Sequence, residues 1–135
     1  MERRRLQRLP DAEIHLWFTF PGETQDPPKT DPSQSILDEE EKARMRRLHS
    51  PGSRRLFQES HSLVRRALSR YSNIPPGKWR YVKNAHGKPR IDPKLGSVPL
   101  SFSLSHTKGL AVVAVTAGAD VGVDVESMDR RVDAA

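Results

Sequence analysis

The sequence predicts an α+β fold, a mostly antiparallel sheet with two helices packed on it. Three stretches carry that expectation. Leu110 to Thr116 is an unbroken apolar run of strand length, as expected of a strand buried on both faces. A polar turn, Ala117 to Asp120, then leads into Val121 to Glu126, which predicts an antiparallel hairpin. Upstream, Leu56, Leu63 and Ala67, with Phe57, Val64, Leu68 and Tyr71, recur at helical spacing and give one helix an apolar stripe.

The remaining elements follow in order. Glu13 to Phe20 is rich in aromatic and β-favouring residues and reads as the first strand. Residues 21–35 hold Gly22, Pro27, Pro28 and Pro32 among polar residues and read as a loop. Leu37 to His49 reads as a polar helix. Its acids, Asp38 to Glu41, precede its bases, Lys42, Arg44, Arg46 and Arg47, an order that complements the helix dipole. Pro51-Gly52 breaks the chain and Ser53 is the expected N-cap of the next helix. Arg54, Arg55, Arg65, Arg66 and Arg70 fall on faces other than its apolar stripe, and Asn73 to Gly77 ends it. Trp79 to Val82 is a short strand, Ala85 to Pro89 a turn and Lys94 to Pro99 a loop. Trp17, Phe18 and Phe102 are read as core, and residues 127–135 carry no structural signal.

With 135 residues the chain is sized for one modest domain. Apolar residues make up 35% and charged residues 30%, which is thin for a self-sufficient core and suggests a partner surface. The 23 Lys and Arg exceed the 17 Asp and Glu by six, giving a net charge of +6 that suits anionic partners. Cysteine is absent, which excludes disulfides and thiolate zinc sites. No apolar run approaches a membrane span and no signal-peptide segment follows the basic start, so a cytoplasmic protein without a membrane partner is expected.

The chemistry gathers in the last third. Asp124 and Glu126 lie two residues apart on a predicted strand and so share a face, while Val121, Val123 and Val125 take the other. Paired carboxylates repel unless a cation lies between them, and Mg²⁺, shared with a phosphate ligand, is the hard ion that suits them. Ser105-His106 adds a hydroxyl and an imidazole, and Gly87-Lys88-Pro89 places a cation on a turn. Cations and hydrogen-bond donors beside a metal pair point to a phosphate-rich ligand.

G-K-P at 87–89, F-S-L-S-H at 102–106 and G-V-D-V-E at 122–126, in this order and spacing, resemble the larger, two-lobed class of 4′-phosphopantetheinyl transferases. The resemblance runs from about Leu37 to Glu126, and the stretch Leu63 to Arg70 resembles that family's helix before the G-K-P turn. It implies one lobe of a pseudo-dimer fold. The N-terminal lobe would occupy residues 1–126, and residues 127–135 would begin the connection to a second lobe. The implied activity is Mg²⁺-dependent transfer of phosphopantetheine from coenzyme A to a serine of an apo acyl or peptidyl carrier protein, leaving adenosine 3′,5′-bisphosphate. Asp124 and Glu126 would be the metal ligands and the residues on which catalysis depends. Arg44, Gly87, Lys88, Pro89, Ser105 and His106 would hold the cofactor, with His106 favoured in its protonated form beside phosphate. The family's second lobe carries a W-x-x-K-E motif that this sequence does not match, so the chain alone is expected to be inactive and to need that lobe or self-association. One helix position that is basic in some relatives is Glu41 here. Two other readings stand beside this one: the same fold without catalysis, and a small basic nucleic-acid-binding module. The second draws on the +6 charge and the arginine-rich helices, against the absence of any recognised nucleic-acid motif.

Overall fold

The computed structural model describes residues 5–21 and 36–128. Its elements are β1 (Ile14–Thr19), α1 (Glu39–Arg46), α2 (Pro51–Leu68), β2 (Tyr81–Lys83), β3 (Pro89–Ile91), β4 (Ser101–Thr107) and β5 (Leu110–Thr116), with single 3₁₀ turns at Pro76–Lys78 and Pro93–Leu95. The α+β expectation is met. Strands β1, β5 and β4 form an antiparallel sheet in that order, and β2 and β3 form a separate two-stranded ribbon. The expected loop over residues 21–35 and the connection at 127–135 fall almost wholly outside the described residues.

β5 is the middle strand, which accounts for its apolar run: Ala111 to Thr116 are all buried. Its hairpin partner is β4, not the segment after it. Thr107 pairs with Leu110 across Lys108-Gly109, and Gly109, the second residue of the turn, takes a positive φ (79°), the position where a type II turn favours glycine. The predicted hairpin with residues 121–126 does not form, because β1 and β4 already occupy both edges of β5. That segment instead runs beside β4 and is held by serine side chains. Val123 N–H donates to Ser103 Oγ (3.3 Å) and Val125 N–H to Ser105 Oγ (3.1 Å).

Helix α2 lays Val64, Ala67 and Leu68 against Phe102, Val113, Val115 and Trp79. Burying each such large side chain is worth about 1.5–3 kcal/mol. Trp79, read from sequence as a strand residue, precedes β2 and is fully buried, its indole donating to Ser69 Oγ (2.7 Å). The N-cap of α2 is Ser50 rather than Ser53. Ser50 Oγ accepts the Ser53 N–H (3.1 Å), and Pro51 opens the helix instead of breaking the chain, since the first helical position needs no N–H. Helix α1 is shorter than predicted and packs on α2. A capping box starts it: Asp38 Oδ1 accepts from Glu41 N–H (2.8 Å), and Glu41 Oε1 accepts from Asp38 N–H (3.0 Å).

Two placements depart from the sequence reading. Arg65, assigned to an outer face of α2, is fully buried. It donates from Nε to Glu41 Oε1 (2.8 Å), from Nη1 to the Pro76 and Trp79 carbonyls (3.0 and 2.9 Å), and from Nη2 to Asp38 Oδ2 (3.0 Å) and Glu41. One guanidinium thus fastens α1, α2 and the Pro76–Trp79 turn. Phe18, read as core, is exposed. On β1 only His15, Trp17 and Thr19 face inward, with Trp17 Nε1 donating to Tyr71 Oη (2.8 Å). Ile14, Leu16, Phe18 and, just beyond the strand, Phe20 remain 61%, 57%, 60% and 72% accessible, four large apolar side chains in a row on one edge of the sheet.

Candidate functional site

Five separate stretches of sequence meet at a cleft of about 670 Å³, from α1, α2, the β2–β3 ribbon, β4 and Gly122. Arg44, Gly87, Lys88, Pro89 and His106 all line it, so five of the predicted cofactor-holding residues share one wall system. Each is placed by local structure. Arg44 sits in the last turn of α1, its guanidinium 5.3 Å from the centre of the Phe57 ring. Lys88 closes the β2–β3 turn, which Asn84 organises. Asn84 Oδ1 accepts the N–H groups of His86 and Lys88 (both 2.9 Å), and Asn84 N–H donates to the Lys88 carbonyl (2.9 Å). Gly87 adopts a φ of 79° there, a conformation that a side chain disfavours. The Lys88 ammonium reaches across and donates to the Val121 carbonyl, which ties the turn to the segment that carries the acids.

His106 projects from β4 on the side of Phe102 and Leu104, the face that meets α2. Although the residue remains largely solvent-exposed, partial burial first, and the neighbouring His61 second, hold its pKa below the ordinary imidazole value. Ser105 does not line the cleft. It points to the other face of β4, where its hydroxyl donates to Asp124 Oδ1 (3.3 Å) while accepting from Val125 N–H. Its evident role is to position the acidic segment. Gly122 of that segment lines the cleft, whereas Asp124 and Glu126 do not. Both carboxylates are exposed and alternate with the half-buried Val123 and Val125, as the period-two reading requires.

The donor set suits Mg²⁺. Both groups offer hard carboxylate oxygens, and the Ser105 bond engages only one oxygen of Asp124. Among the described residues no cluster of three or more metal-ligating side chains exists. Mg²⁺ ordinarily keeps several waters and takes one or two carboxylates plus phosphate oxygens, so a pair is sufficient on the protein side.

Sequence reasoning missed the cleft's interior. Asp38 and Glu41 would oppose an anion, but buried Arg65 pairs with both and offsets one of their two charges. Burial by itself would push the Glu41 carboxyl up. The hydrogen bonds from His61, Arg65 and the Asp38 N–H, with the Arg65 charge, outweigh that and hold it down at about 2. Tyr81 also lines the cleft. Its hydroxyl is buried with no hydrogen-bond partner among the described residues, and burial raises its pKa. The one sequence signal for this interior was spacing: His61 and Arg65 stand four apart on α2 and so share a face.

An α+β domain with cations gathered around a cleft, beside a segment bearing paired carboxylates, is the class of structure these observations define. No family model matches the chain. Curated proteins do. It is 31% identical over 114 residues to 4′-phosphopantetheinyl transferase HetI of Nostoc sp., covering 84% of this chain and 47% of that protein. It is 33% identical over 103 residues to 4′-phosphopantetheinyl transferase 1 of Fusarium mangiferae, covering 73% of this chain and 35% of that protein. The chain therefore belongs to the 4′-phosphopantetheinyl transferase superfamily, and the matches span half or less of the length of these relatives.

Proposed function

We propose that this chain is the N-terminal lobe of an Mg²⁺-dependent transferase that moves phosphopantetheine from coenzyme A to a serine of an apo acyl or peptidyl carrier protein. The observation that carries the reading is the convergence of Arg44, Lys88 and His106 on one cleft, with Ser105, the neighbour of His106, holding Asp124. In this reading the cleft takes the nucleotide end of coenzyme A, and Arg44, Lys88 and His106 hold its 3′-phosphate. The serine oxygen attacks the pantetheine-side phosphorus as the bond to the adenosine-side phosphate breaks, releasing adenosine 3′,5′-bisphosphate. Bound at Asp124 and Glu126, Mg²⁺ would supply charge neutralisation on the pyrophosphate. Fixed cations are most effective where negative charge builds in the transition state. The setting is cytoplasmic in this reading, and no helix among the described residues is long and apolar enough to cross a membrane.

The 3′-phosphate grip is tested by comparing coenzyme A with 3′-dephospho-coenzyme A by calorimetry. The parent should prefer the phosphorylated cofactor. Lys88→Ala and His106→Ala should each lose about 1.5–3 kcal/mol of that preference, the usual worth of a hydrogen bond to a charged group. If both variants keep the full preference, the assignment is wrong. The pH dependence has a definite sign. His106 is held below its ordinary pKa in the free protein, so a bound phosphate must draw a proton onto it. Coenzyme A affinity should therefore rise as pH falls from about 8 to 6, and His106→Ala should flatten that rise. An equal slope in parent and variant would refute the linkage.

The exposed row Ile14, Leu16, Phe18 and Phe20 supports the lobe assignment, because an apolar patch of this kind on a sheet edge normally meets a partner. A second lobe would provide one. This chain alone, assayed with coenzyme A, Mg²⁺ and apo carrier proteins, should show no useful turnover, and it should self-associate in sedimentation. Robust turnover by a monomer would overturn the account.

A further inference from the structure

We propose that His61 is a specificity-determining residue of the cleft, an imidazole held at Nδ1 by Glu41 that donates from Nε2 to the phosphate monoester bound by Arg44, Lys88 and His106. The inference rests on the reading that the cleft takes the nucleotide end of coenzyme A.

The geometry is that of an oriented imidazole. His61 lines the cleft from α2. Its ring is stacked on Phe57, with centroids 3.9 Å apart and planes 18° from parallel, so it cannot swing freely. Nδ1 lies 3.0 Å from Glu41 Oε2. A carboxylate only accepts, so Nδ1 carries the proton and Nε2 is the nitrogen left for a ligand. Glu41 is itself immobile: its other oxygen, Oε1, takes the Asp38 N–H and the Arg65 guanidinium. The same Phe57 ring lies 5.3 Å from the Arg44 guanidinium, and Arg44 lines the same cleft as His61.

The surroundings favour an anion. Arg44, Lys83, Lys88, His61 and His106 line the cleft against Asp38, Glu40 and Glu41, and Arg65, paired with both Asp38 and Glu41, offsets one of those charges. His61 lies close enough to His106 for its charge to depress the protonation of that ring. Two imidazoles that repel when charged are both relieved by one phosphate bound between them. A doubly protonated His61, with Glu41 behind it, would then make a charge-assisted hydrogen bond from Nε2.

The test compares parent, His61→Gln and His61→Lys for binding of coenzyme A and of 3′-dephospho-coenzyme A at one pH and one salt concentration. Folding is followed by circular dichroism. Glutamine can still hydrogen-bond to Glu41 but carries no charge, whereas lysine keeps the cation. His61→Gln should lower the preference for coenzyme A by about 10-fold or more while leaving 3′-dephospho-coenzyme A affinity within about twofold. His61→Lys should recover much of the preference. Equal loss for both cofactors, or an unchanged ratio, would mean that His61 only fills space between Phe57 and Glu41, and the proposal fails. If His61→Gln does not fold, His61→Lys decides: a retained preference supports the proposal and a lost one overturns it. If the parent shows no preference, the reading of the cleft fails first and the inference with it.

Discussion

Replacing Arg65 by alanine should leave this domain close to unfolded at room temperature. The guanidinium is fully buried and is shared among Glu41, Asp38 and two backbone carbonyls from the Pro76–Trp79 turn. Removing it takes the guanidinium charge from the buried Glu41 carboxylate, which keeps His61 and the Asp38 N–H, and strips the Pro76 carbonyl of its guanidinium donor, while the Trp79 carbonyl keeps Arg80 Nη1 (2.8 Å). Breaking a buried pair on one side costs about 3–5 kcal/mol, a large share of the roughly 5–15 kcal/mol that holds a domain together. Arg65→Lys should recover little, because one ammonium cannot reproduce a planar fork spread over three chain segments. Urea denaturation would measure this, and a midpoint shift equivalent to under about 1 kcal/mol in the alanine variant would contradict the account. The same network sets an acid limit. Glu41 is held at about 2 against an ordinary value of 4.5, so the stability it confers is present above pH 4.5 and lost as pH falls toward 2. The stability of Glu41→Gln should be lower at neutral pH and less steep over that window.

Asp124→Ala should abolish the Mg²⁺-dependent part of catalysis and of coenzyme A binding. Asp124 is one of only two carboxylates on its segment, and Ser105 holds it in place from β4. Loss of groups that merely orient metal ligands typically costs 10- to 100-fold, so loss of a ligand should cost more, at least about 100-fold in transfer. Glu126→Ala should also be severe. Transfer of labelled phosphopantetheine to an apo carrier protein is best followed in a fusion that supplies a relative's second half. Coenzyme A affinity of this chain across Mg²⁺ concentrations gives an independent readout. Near-normal Mg²⁺ dependence in the Asp124 variant would remove the metal assignment. Ser105→Ala is the informative companion, since it keeps both carboxylates and removes only the hydroxyl that positions one of them. It should weaken Mg²⁺ dependence without eliminating it.

Much of the fold was legible because strand and helix periods leave direct marks in sequence. The run Leu110–Thr116 announced a strand buried on both faces, and the stripe through Val64, Ala67 and Leu68 announced the core side of α2. The alternation of Asp124 and Glu126 with valines survived intact. Of the residues lining the cleft, 87–89 and 106 were legible from their chemistry and from motif resemblance together, and Arg44 from resemblance alone. Other features were invisible for identifiable reasons. Pro51 looked like a chain break because a proline's effect depends on whether the helix starts at it or passes through it, and the cap at Ser50 decides that. Phe18 looked like core because an aromatic residue in a strand carries no label saying which face meets another layer.

By itself, the sequence determined the class of fold, both helices, the strands at β1 and β5, the net charge of +6 and the period-two display of the acidic pair, but neither β3 nor β4. These depend on interactions a few residues apart, which composition and spacing encode. Only the tertiary structure decided which strands became neighbours, and with that the fate of residues 121–126. With β1 and β4 on both edges of β5, no backbone ladder remained there for them, so serine hydroxyls on β4 took over. It also decided that Arg65 is an interior cation rather than a solvated one. A guanidinium can leave water only where several acceptors from distant parts of the chain surround it. That condition belongs to the packed arrangement of α1, α2 and the Pro76–Trp79 turn and to no one of them alone.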